Sequence, residues 1–206
     1  VISAHATPAR NRVFINQGLK DGIPQFRDMT AEVGLADPVP AKCPHVEIQD
    51  FDNDGWPDIY VSAAWLENGE ITPLIYRNTG LLKFEPVRPI KEPMVYFPAG
   101  PTADFDNDGR LDLLLINWFA GNHTRLLRND TPPRNWLNVQ VTGRRMNRMG
   151  LGAKVRLTQG GKLLGCQETG IGYGYASGQQ AVCHFGLDDV QAVDVEVTLP
   201  TGHVLK

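Results

Sequence analysis

A nine-residue acidic segment that occurs twice restricts the possible folds of this chain more than any other feature. The first copy is DFDNDGWPD at residues 50–58, and the second is DFDNDGRLD at residues 104–112, 54 residues later. An Arg-Asn pair follows each copy, at residues 77–78 and 128–129, and Asn16 ends a similar apolar run earlier in the chain. Self-similarity at a period of about 50 residues is the signature of a repeat architecture. The sequence therefore predicts about two and a half copies of one structural unit.

Each unit is predicted to be built of β-strands. Short apolar runs directly follow the acidic segments, IYV at residues 59–61 and LLLI at residues 113–116, and such runs suit strands that are buried on both faces. Long segments with a helical period are missing from the sequence. The 21 glycines and 15 prolines among 206 residues indicate many turns between short elements. Few-stranded sheets at this repeat length are typical of β-propeller blades.

The pattern changes at the Pro-Pro pair of residues 132–133. Beyond this pair, apolar and polar residues alternate as they do in half-buried antiparallel strands. The three clearest segments are residues 136–141, 153–157 and 193–197. We therefore predict an all-β chain with two parts: partial β-propeller-type blades over residues 1–133, and a small antiparallel β domain over residues 134–206.

The chemistry of the acidic segments favours calcium. Each segment offers carboxylates at its positions 1, 3, 5 and 9, a phenylalanine expected to anchor the turn on the core, and a glycine at position 6 that permits a sharp turn. Calcium takes about six to eight oxygen ligands. The alternative, a solvated acidic turn, leaves the repulsion between four carboxylates uncompensated. With the position-7 carbonyl as a fifth contribution, the predicted ligands are Asp50, Asp52, Asp54, Trp56 and Asp58 for one ion, and Asp104, Asp106, Asp108, Arg110 and Asp112 for the other.

The motifs resemble those of two known families. The DxDxDGxxD loops followed by an apolar strand, with intervening segments that end in Arg-Asn, resemble FG-GAP/VCBS repeats, the calcium-binding blades of integrin-type β-propellers. This resemblance covers about residues 10–130. The sequences NWL, NRMGLGA, GY and HFGL, at residues 135–137, 147–153, 172–173 and 184–187, resemble the ASPIC/UnbV domain. The combination resembles the cartilage acidic protein-like family, which implies calcium binding, adhesion or protein interaction, and a secreted or periplasmic location.

These features predict a non-enzymatic, extracytoplasmic calcium-binding module that binds a protein partner or a glycan. No GxSxG, HExxH or P-loop motif is present, so we expect no catalytic set. The alternative function is a structural accessory subunit of a larger extracytoplasmic complex, for example a redox or photosynthetic one. A net charge of −3 gives no reason to expect nucleic acid, and no apolar run approaches the ~18 residues of a membrane span. Candidate partner contacts, for which core packing is the commoner role, are Trp65, Trp118, Phe119 and Tyr173.

Two complete acidic segments are too few for a closed propeller, which takes about four to eight blades. We therefore expect either a fragment of a longer chain or a subunit that completes its sheet against a partner. An unpaired blade edge would otherwise favour aggregation.

The cysteines and the basic residues leave alternatives open. A disulfide between Cys166 and Cys183 is slightly favoured over two unpaired core thiols, and Cys43 is left over. His184 directly follows Cys183, so their side chains point to opposite faces of a strand, and His184 is expected to be structural. A basic cluster near residue 146 forms either a solvated hairpin or a site for an anionic glycan or phosphate. Its members are Arg144, Arg145 and Arg148.

Overall fold

The computed structural model describes residues 11–35, 45–61, 66–67, 70–71, 75–87, 99–117, 120–121 and 123–206. Within these ranges the regular secondary structure consists of β-strands in antiparallel sheets, which confirms the predicted all-β fold. The described sheets do not close into a barrel or a propeller. No helix among these residues is long and apolar enough to cross a membrane.

The repeat region contains a hairpin, a two-residue strand pair and two larger sheets. The hairpin joins β1 (Phe14–Lys20) to β2 (Ile23–Asp28). The next strands in chain order are β3 (Val46–Gln49), β4 (Asp58–Val61), β5 (Leu66–Glu67), β6 (Glu70–Ile71), β7 (Ile75–Asn78) and β8 (Phe84–Val87). Strands β3, β4, β7 and β8 form a four-stranded sheet in that order, and β5 pairs with β6. The second sheet has β10 (Asp112–Leu115) at its centre, between β9 (Thr102–Ala103) and β11 (Arg125–Leu127).

Two further sheets, called the C-terminal domain below, surround a separate apolar core. Their strands are β12 (Asn135–Val139), β13 (Lys154–Gln159), β14 (Lys162–Glu168), β15 (Cys183–Asp188), β16 (Asp194–Thr198) and β17 (Val204–Leu205). Strand β12 pairs with β15, and the others form a sheet in the order β14-β13-β16-β17. Val155 and Leu157 are buried in this core while Lys154 and Arg156 are exposed, so the predicted alternation of β13 is confirmed.

The predicted strands after the acidic segments are also confirmed. Strand β4 is buried over its whole length, and β10 is buried at three of its four residues. Phe51 packs between the two units with Tyr60 and Leu111, and is 4% exposed. Its equivalent Phe105 is 46% exposed and does not belong to this core. The anchoring role predicted for both phenylalanines is therefore right for Phe51 and wrong for Phe105.

The disulfide favoured from the sequence is wrong, since Cys166 and Cys183 are both free thiols. A β-bulge explains the difference. The register of β13 and β14 shifts between Leu157 and Thr158, so that Cys166 lies opposite Arg156 on the exposed face. Without the extra residue, Cys166 would lie on the inner face, where Cys183 is buried. Cys43 lies outside the described residues.

Candidate metal centre

The first acidic segment, loop 1 (residues 50–58), is a tight turn around the Asp50 carboxylate. Oδ1 of Asp50 accepts a hydrogen bond from the main-chain N–H of Asp54 (3.1 Å), and Oδ2 accepts one from Gly55 (2.8 Å). Asn53 and Gly55 have φ values of 55° and 86°. This left-handed region is the one that asparagine and glycine adopt most readily. The Asn-Asp-Gly sequence therefore supplies the backbone freedom that the turn requires.

The second acidic segment, loop 2 (residues 104–112), repeats this hydrogen bonding. Oδ1 of Asp104 accepts from the N–H of Asp108 (3.0 Å), and Oδ2 accepts from that of Gly109 (2.9 Å). Asn107 and Gly109 have φ values of 60° and 86°. The same residue types at equivalent positions thus produce the same backbone in both loops.

The structure brings together the first three predicted carboxylate ligands of each loop. In loop 1 these residues are Asp50, Asp52 and Asp54, with one oxygen from each within 4.8 Å of the others. In loop 2 they are Asp104, Asp106 and Asp108, with the same spacing. Each group of three carboxylates is able to hold a metal ion, and oxygen-only donors suit hard cations.

The fourth carboxylate of each loop instead binds main-chain N–H groups. Oδ2 of Asp58 accepts from Phe51 (3.0 Å) and Oδ1 accepts from Asn78 (2.7 Å). In loop 2, Asp112 accepts the equivalent bonds from Phe105 (3.1 Å) and Asn129 (2.7 Å). These carboxylates tie the start of each loop to the later Arg-Asn pair, and neither belongs to a three-carboxylate group. Their role as ligands stays a prediction, as does that of the Trp56 and Arg110 carbonyls.

The recurrent asparagines are site residues whose role sequence reasoning missed. The side-chain N–H of Asn78 donates to the carbonyl of Pro57 (3.0 Å), and that of Asn129 donates to the carbonyl of Leu111 (3.0 Å). Pro57 and Leu111 are both at position 8 of their loops, directly before Asp58 and Asp112. Each asparagine therefore fixes the end of its loop. The repetition of the Arg-Asn pair in the sequence was the feature that could have indicated this role.

Three of the four carboxylates of loop 1 are buried, and this changes the acidity of the loop's carboxyl groups. Asp50 and Asp52 are each 8% exposed. Burial, opposed by hydrogen bonds from Gly55 and helped by the neighbouring carboxylates, raises the pKa of Asp50 to about 7. Burial likewise raises the pKa of Asp58 to about 7 and also raises that of Asp54. The folded protein thus resists placing full negative charge on this loop unless a cation compensates it.

Two arginines offset part of the charge of loop 1. Nε of Arg77 lies 2.6 Å from Oδ2 of Asp52, and its Nη2 lies 3.1 Å from Oδ2 of Asp54. Nη1 of Arg134 lies 3.1 Å from the same Asp52 oxygen. The other oxygen of Asp52, Oδ1, is buried and has no hydrogen-bond partner among the described residues. A buried carboxylate oxygen without a partner within a group of three carboxylates fits a bound cation.

Loop 2 is more open to solvent. Asp104 is half-buried, while Asp106 and Asp108 are exposed. The Arg110 guanidinium contacts Asp108 and donates to the carbonyl of Thr131 (3.1 Å). Loop 1 and loop 2 therefore share one backbone conformation but differ in burial and in the number of arginines close to them.

His184 is buried against loop 1 and has the structural position expected for it. Its Nε2 lies 2.9 Å from Oδ1 of Asn53, its Nδ1 lies 2.8 Å from Oδ1 of Asn138, and its ring stacks on Trp136. Burial lowers the pKa of His184 to about 4, so the ring is neutral at pH 7. The side-chain N–H of Asn53 donates to the carbonyl of Gly109, which leaves Oδ1 of Asn53 to accept a hydrogen bond from His184. The proton of the neutral His184 ring is therefore on Nε2. Nδ1 then accepts, which requires the Asn138 amide to present its NH₂ group.

Of the other residues singled out in the sequence, the structure describes Tyr173 and the three arginines of the basic cluster. Tyr173 is half-buried and lines a cleft of about 480 Å³ between the repeat region and the C-terminal domain. Arg144, Arg145 and Arg148 are exposed, which leaves both interpretations of the basic cluster open. Trp65, Trp118 and Phe119 lie outside the described residues.

Comparison with known families identifies the two parts of the chain. Residues 50–115 match the model of the FG-GAP-like repeat, and residues 143–206 match that of ASPIC and UnbV. The chain therefore contains one segment similar to the FG-GAP-like repeat and another similar to the ASPIC and UnbV domain, as its motifs predict. This pairing suggests an extracellular protein-interaction module.

The chain is homologous to a vertebrate protein that is much longer. It is 31% identical over 195 residues to cartilage acidic protein 1 of Mus musculus and, to the same extent, to that of Homo sapiens. Each alignment covers 88% of this chain and 28% of the relative. The chain thus spans just over a quarter of the length of these relatives, and the predicted boundary at residues 132–133 lies between the two matched segments.

Proposed function

We propose that this protein is an extracellular, non-enzymatic module that binds calcium through its two acidic loops and presents a surface to a protein or glycan partner. The observation that carries the proposal is Oδ1 of Asp52, a buried carboxylate oxygen without a hydrogen-bond partner inside a group of three carboxylates. Calcium supplies the positive charge that this group needs. It would be held by Asp50, Asp52 and Asp54 in loop 1, and by Asp104, Asp106 and Asp108 in loop 2.

The charge at loop 1 supports a divalent cation. Asp52 pairs with Arg77 and Arg134, Asp54 pairs with Arg77, and both oxygens of Asp50 face main-chain N–H groups. Two arginines against three clustered carboxylates and the nearby Asp58 leave an excess of negative charge in a buried place. Such an excess is costly unless a cation lies close by.

The chemistry of His184 and Cys183 supports a non-enzymatic role. Both ring nitrogens of His184 contact asparagine side chains. Cys183 is buried, burial raises the pKa of its thiol, and the Thr169 hydroxyl lies 3.6 Å from its sulfur. A neutral thiol and a fully hydrogen-bonded histidine on opposite faces of one strand do not form a nucleophile and base pair.

The cleft beside the two loops is the surface that we assign to the partner. Its polar lining includes Asp104, Glu168, Tyr173 and Gln180, apolar residues such as Ile48 and Leu164 line the rest, and no lysine or arginine contributes to the described lining. A surface with carboxylates, amides and a tyrosine but no cation suits a neutral or basic group on the partner.

A structural subunit of a larger assembly is the second candidate function. The β1–β2 hairpin favours it, because Phe14, Leu19 and Phe26 share one face and are 38%, 73% and 61% exposed. An isolated two-stranded hairpin is marginally stable in water. A stable monomer at micromolar concentration in sedimentation experiments would count against this candidate.

Calcium titration followed by thermal unfolding tests the first candidate. We expect calcium to raise the melting temperature of the wild type, and magnesium at equal concentration to raise it less, because magnesium gives up its water reluctantly. The Asp52→Ala, Asp106→Ala double variant should lose the gain. An unchanged wild-type melting temperature at millimolar calcium, with no heat of binding, would refute calcium binding.

A further inference from the structure

We propose that the C-terminal domain holds the cation site of loop 1 in its binding geometry without supplying a carboxylate ligand. Asn53, His184 and Gly186 are the positioning residues of this site. The inference rests on the proposed calcium function. Its consequence is specific: the cation affinity of loop 1 depends on the docked C-terminal domain, whereas that of loop 2 depends on it much less.

Asn53 is the first link between the ligands and the C-terminal domain. It lies between Asp52 and Asp54 in the chain and is 1% exposed. Its side-chain oxygen faces Nε2 of His184 (2.9 Å), and its main-chain oxygen accepts from the N–H of Asp188 (2.8 Å). Two hydrogen bonds from β15 therefore fix the residue that separates two ligand carboxylates.

Gly186 is the second link, and it acts through close packing. A Cβ atom at this position would lie 2.1 Å from Oδ2 of Asp50 and 2.4 Å from Cα of Asn53. Real Cβ atoms do not approach other heavy atoms this closely, so only glycine fits. The backbone of β15 thus rests directly on the carboxylate around which loop 1 turns.

Arg134 is the third link, at the start of the C-terminal domain. Its guanidinium donates to the main-chain oxygen of Asp52 (2.7 Å) and lies 3.1 Å from Oδ2 of that residue. Nε of the same side chain lies 3.0 Å from Oδ1 of Asp188 on β15. Arg134 therefore joins a ligand residue to the strand that carries His184 and Gly186.

Loop 2 lacks the equivalent of these contacts at its carboxylates. Asn107, which occupies the position of Asn53, is exposed, and its side chain forms no hydrogen bond within the described ranges. Trp136 does pack on Gly109, but Asp106 and Asp108 remain exposed. The two loops therefore provide a matched comparison within one chain.

The experiment measures the calcium affinity of one loop at a time, by calorimetry on the full chain. In an Asp106→Ala background, where loop 1 alone can bind, Asn53→Gly should weaken calcium binding about tenfold, the effect of losing hydrogen bonds that total ~1.4 kcal/mol. In an Asp52→Ala background, where loop 2 alone can bind, Asn107→Gly should change the affinity less than about twofold. Glycine preserves the left-handed φ of both positions.

A second pair of variants separates positioning from general stability. His184→Ala should weaken calcium binding at loop 1, and His184→Gln should restore it, because the Gln amide can donate to Asn53 as Nε2 does. Stability in EDTA, measured by urea unfolding, gives the control readout. A residue that only stabilises the fold would lower the urea midpoint in EDTA and leave the calcium affinity of the folded protein unchanged.

Each result decides between two failures. If the Asp106→Ala protein folds and binds no calcium at loop 1, the proposed function of that loop is wrong. If it binds calcium and both Asn53→Gly and His184→Ala retain the affinity, only the positioning role is wrong. Should Asn53→Gly fail to fold, the His184→Ala and His184→Gln pair decides, and equal affinities for the two would overturn the proposal.

Discussion

Replacing Gly186 by alanine tests the contact between the two halves of the chain without any reference to calcium. The added Cβ would lie 2.1 Å from Oδ2 of Asp50, and 2.4 and 2.6 Å from Cα and C of Asn53. Two of these atoms are backbone, so the clash cannot be relieved by rotating a side chain. Strand β15 and loop 1 must separate by about 1 Å or more to restore an ordinary contact distance.

The magnitude of the effect follows from this separation. Overpacking of a tightly packed contact costs about 1–3 kcal/mol, and a clash with backbone belongs at the upper end. For a chain of this size, about 3 kcal/mol corresponds to a fall in melting temperature of about 6–12 °C. The separation also weakens the hydrogen bonds from His184 and Asp188 to Asn53, so the loss adds to the steric cost.

Thermal unfolding followed by circular dichroism in EDTA provides the measurement, and Gly172→Ala provides the matched control. Gly172 lies in the same domain, has no left-handed φ, and a Cβ there would have no neighbour within 4 Å. Its substitution should change the melting temperature by no more than about 2 °C. A Gly186→Ala protein that melts within the range of this control would refute the described packing of β15 on loop 1.

Three further predictions concern protonation, thiol reactivity and the asparagines that fix the loop ends. The pKa of Asp50 in the absence of calcium is about 7, above the ordinary 3.8, so the stability it contributes is complete below about pH 4 and is lost as the pH rises through 7. Calcium affinity at loop 1 should therefore increase from pH 6 to pH 8 in calorimetry, and equal affinities would contradict the raised pKa. Ellman's reagent should react rapidly with one thiol fewer in Cys166→Ser than in the wild type, while Cys183→Ser leaves the rapid phase unchanged, because Cys183 is buried. Asn129→Ala should lower the free energy of unfolding, measured in urea, by about 2–4 kcal/mol, because it removes hydrogen bonds to Phe51, Leu111 and Thr131. As a control, Asn16→Ala at an exposed position should lower it by less than about 1 kcal/mol.

The turn geometry of the two loops was predictable because it depends on local chemistry. Glycine and asparagine at fixed positions determine where the backbone takes positive φ, as the positive φ values of Asn53 and Gly55 illustrate. The apolar runs after each loop likewise determine buried strands, since a short continuous run has no polar face to expose. The approach of Asp50, Asp52 and Asp54 follows from this same turn.

What the sequence could not predict depends on distant parts of the chain. Phe51 and Phe105 occupy equivalent positions in nearly identical segments, and only the packing of neighbouring sheets decides which one is buried. The face on which Cys166 lies depends on a single extra residue in a strand pair, which has no marker in the local sequence. The different surroundings of Asn53 and Asn107 arise from the docked C-terminal domain, which contacts loop 1 at Asp50 and Asn53 but contacts loop 2 at Gly109.

The hydrogen bond from the Gly55 N–H to Asp50 also affects how readily the protein forms isoaspartate during storage. Both loops contain an Asp-Gly step, the dipeptide most prone to isomerise when the glycine nitrogen attacks the preceding side-chain carboxyl and closes a succinimide ring. In loop 1 the Gly55 N–H donates a hydrogen bond to Asp50, while the Asp54 carboxylate accepts hydrogen bonds from the N–H of Trp56 and from Arg77. The folded turn keeps the two reacting groups apart, so isoaspartate should accumulate only in molecules whose loops have opened.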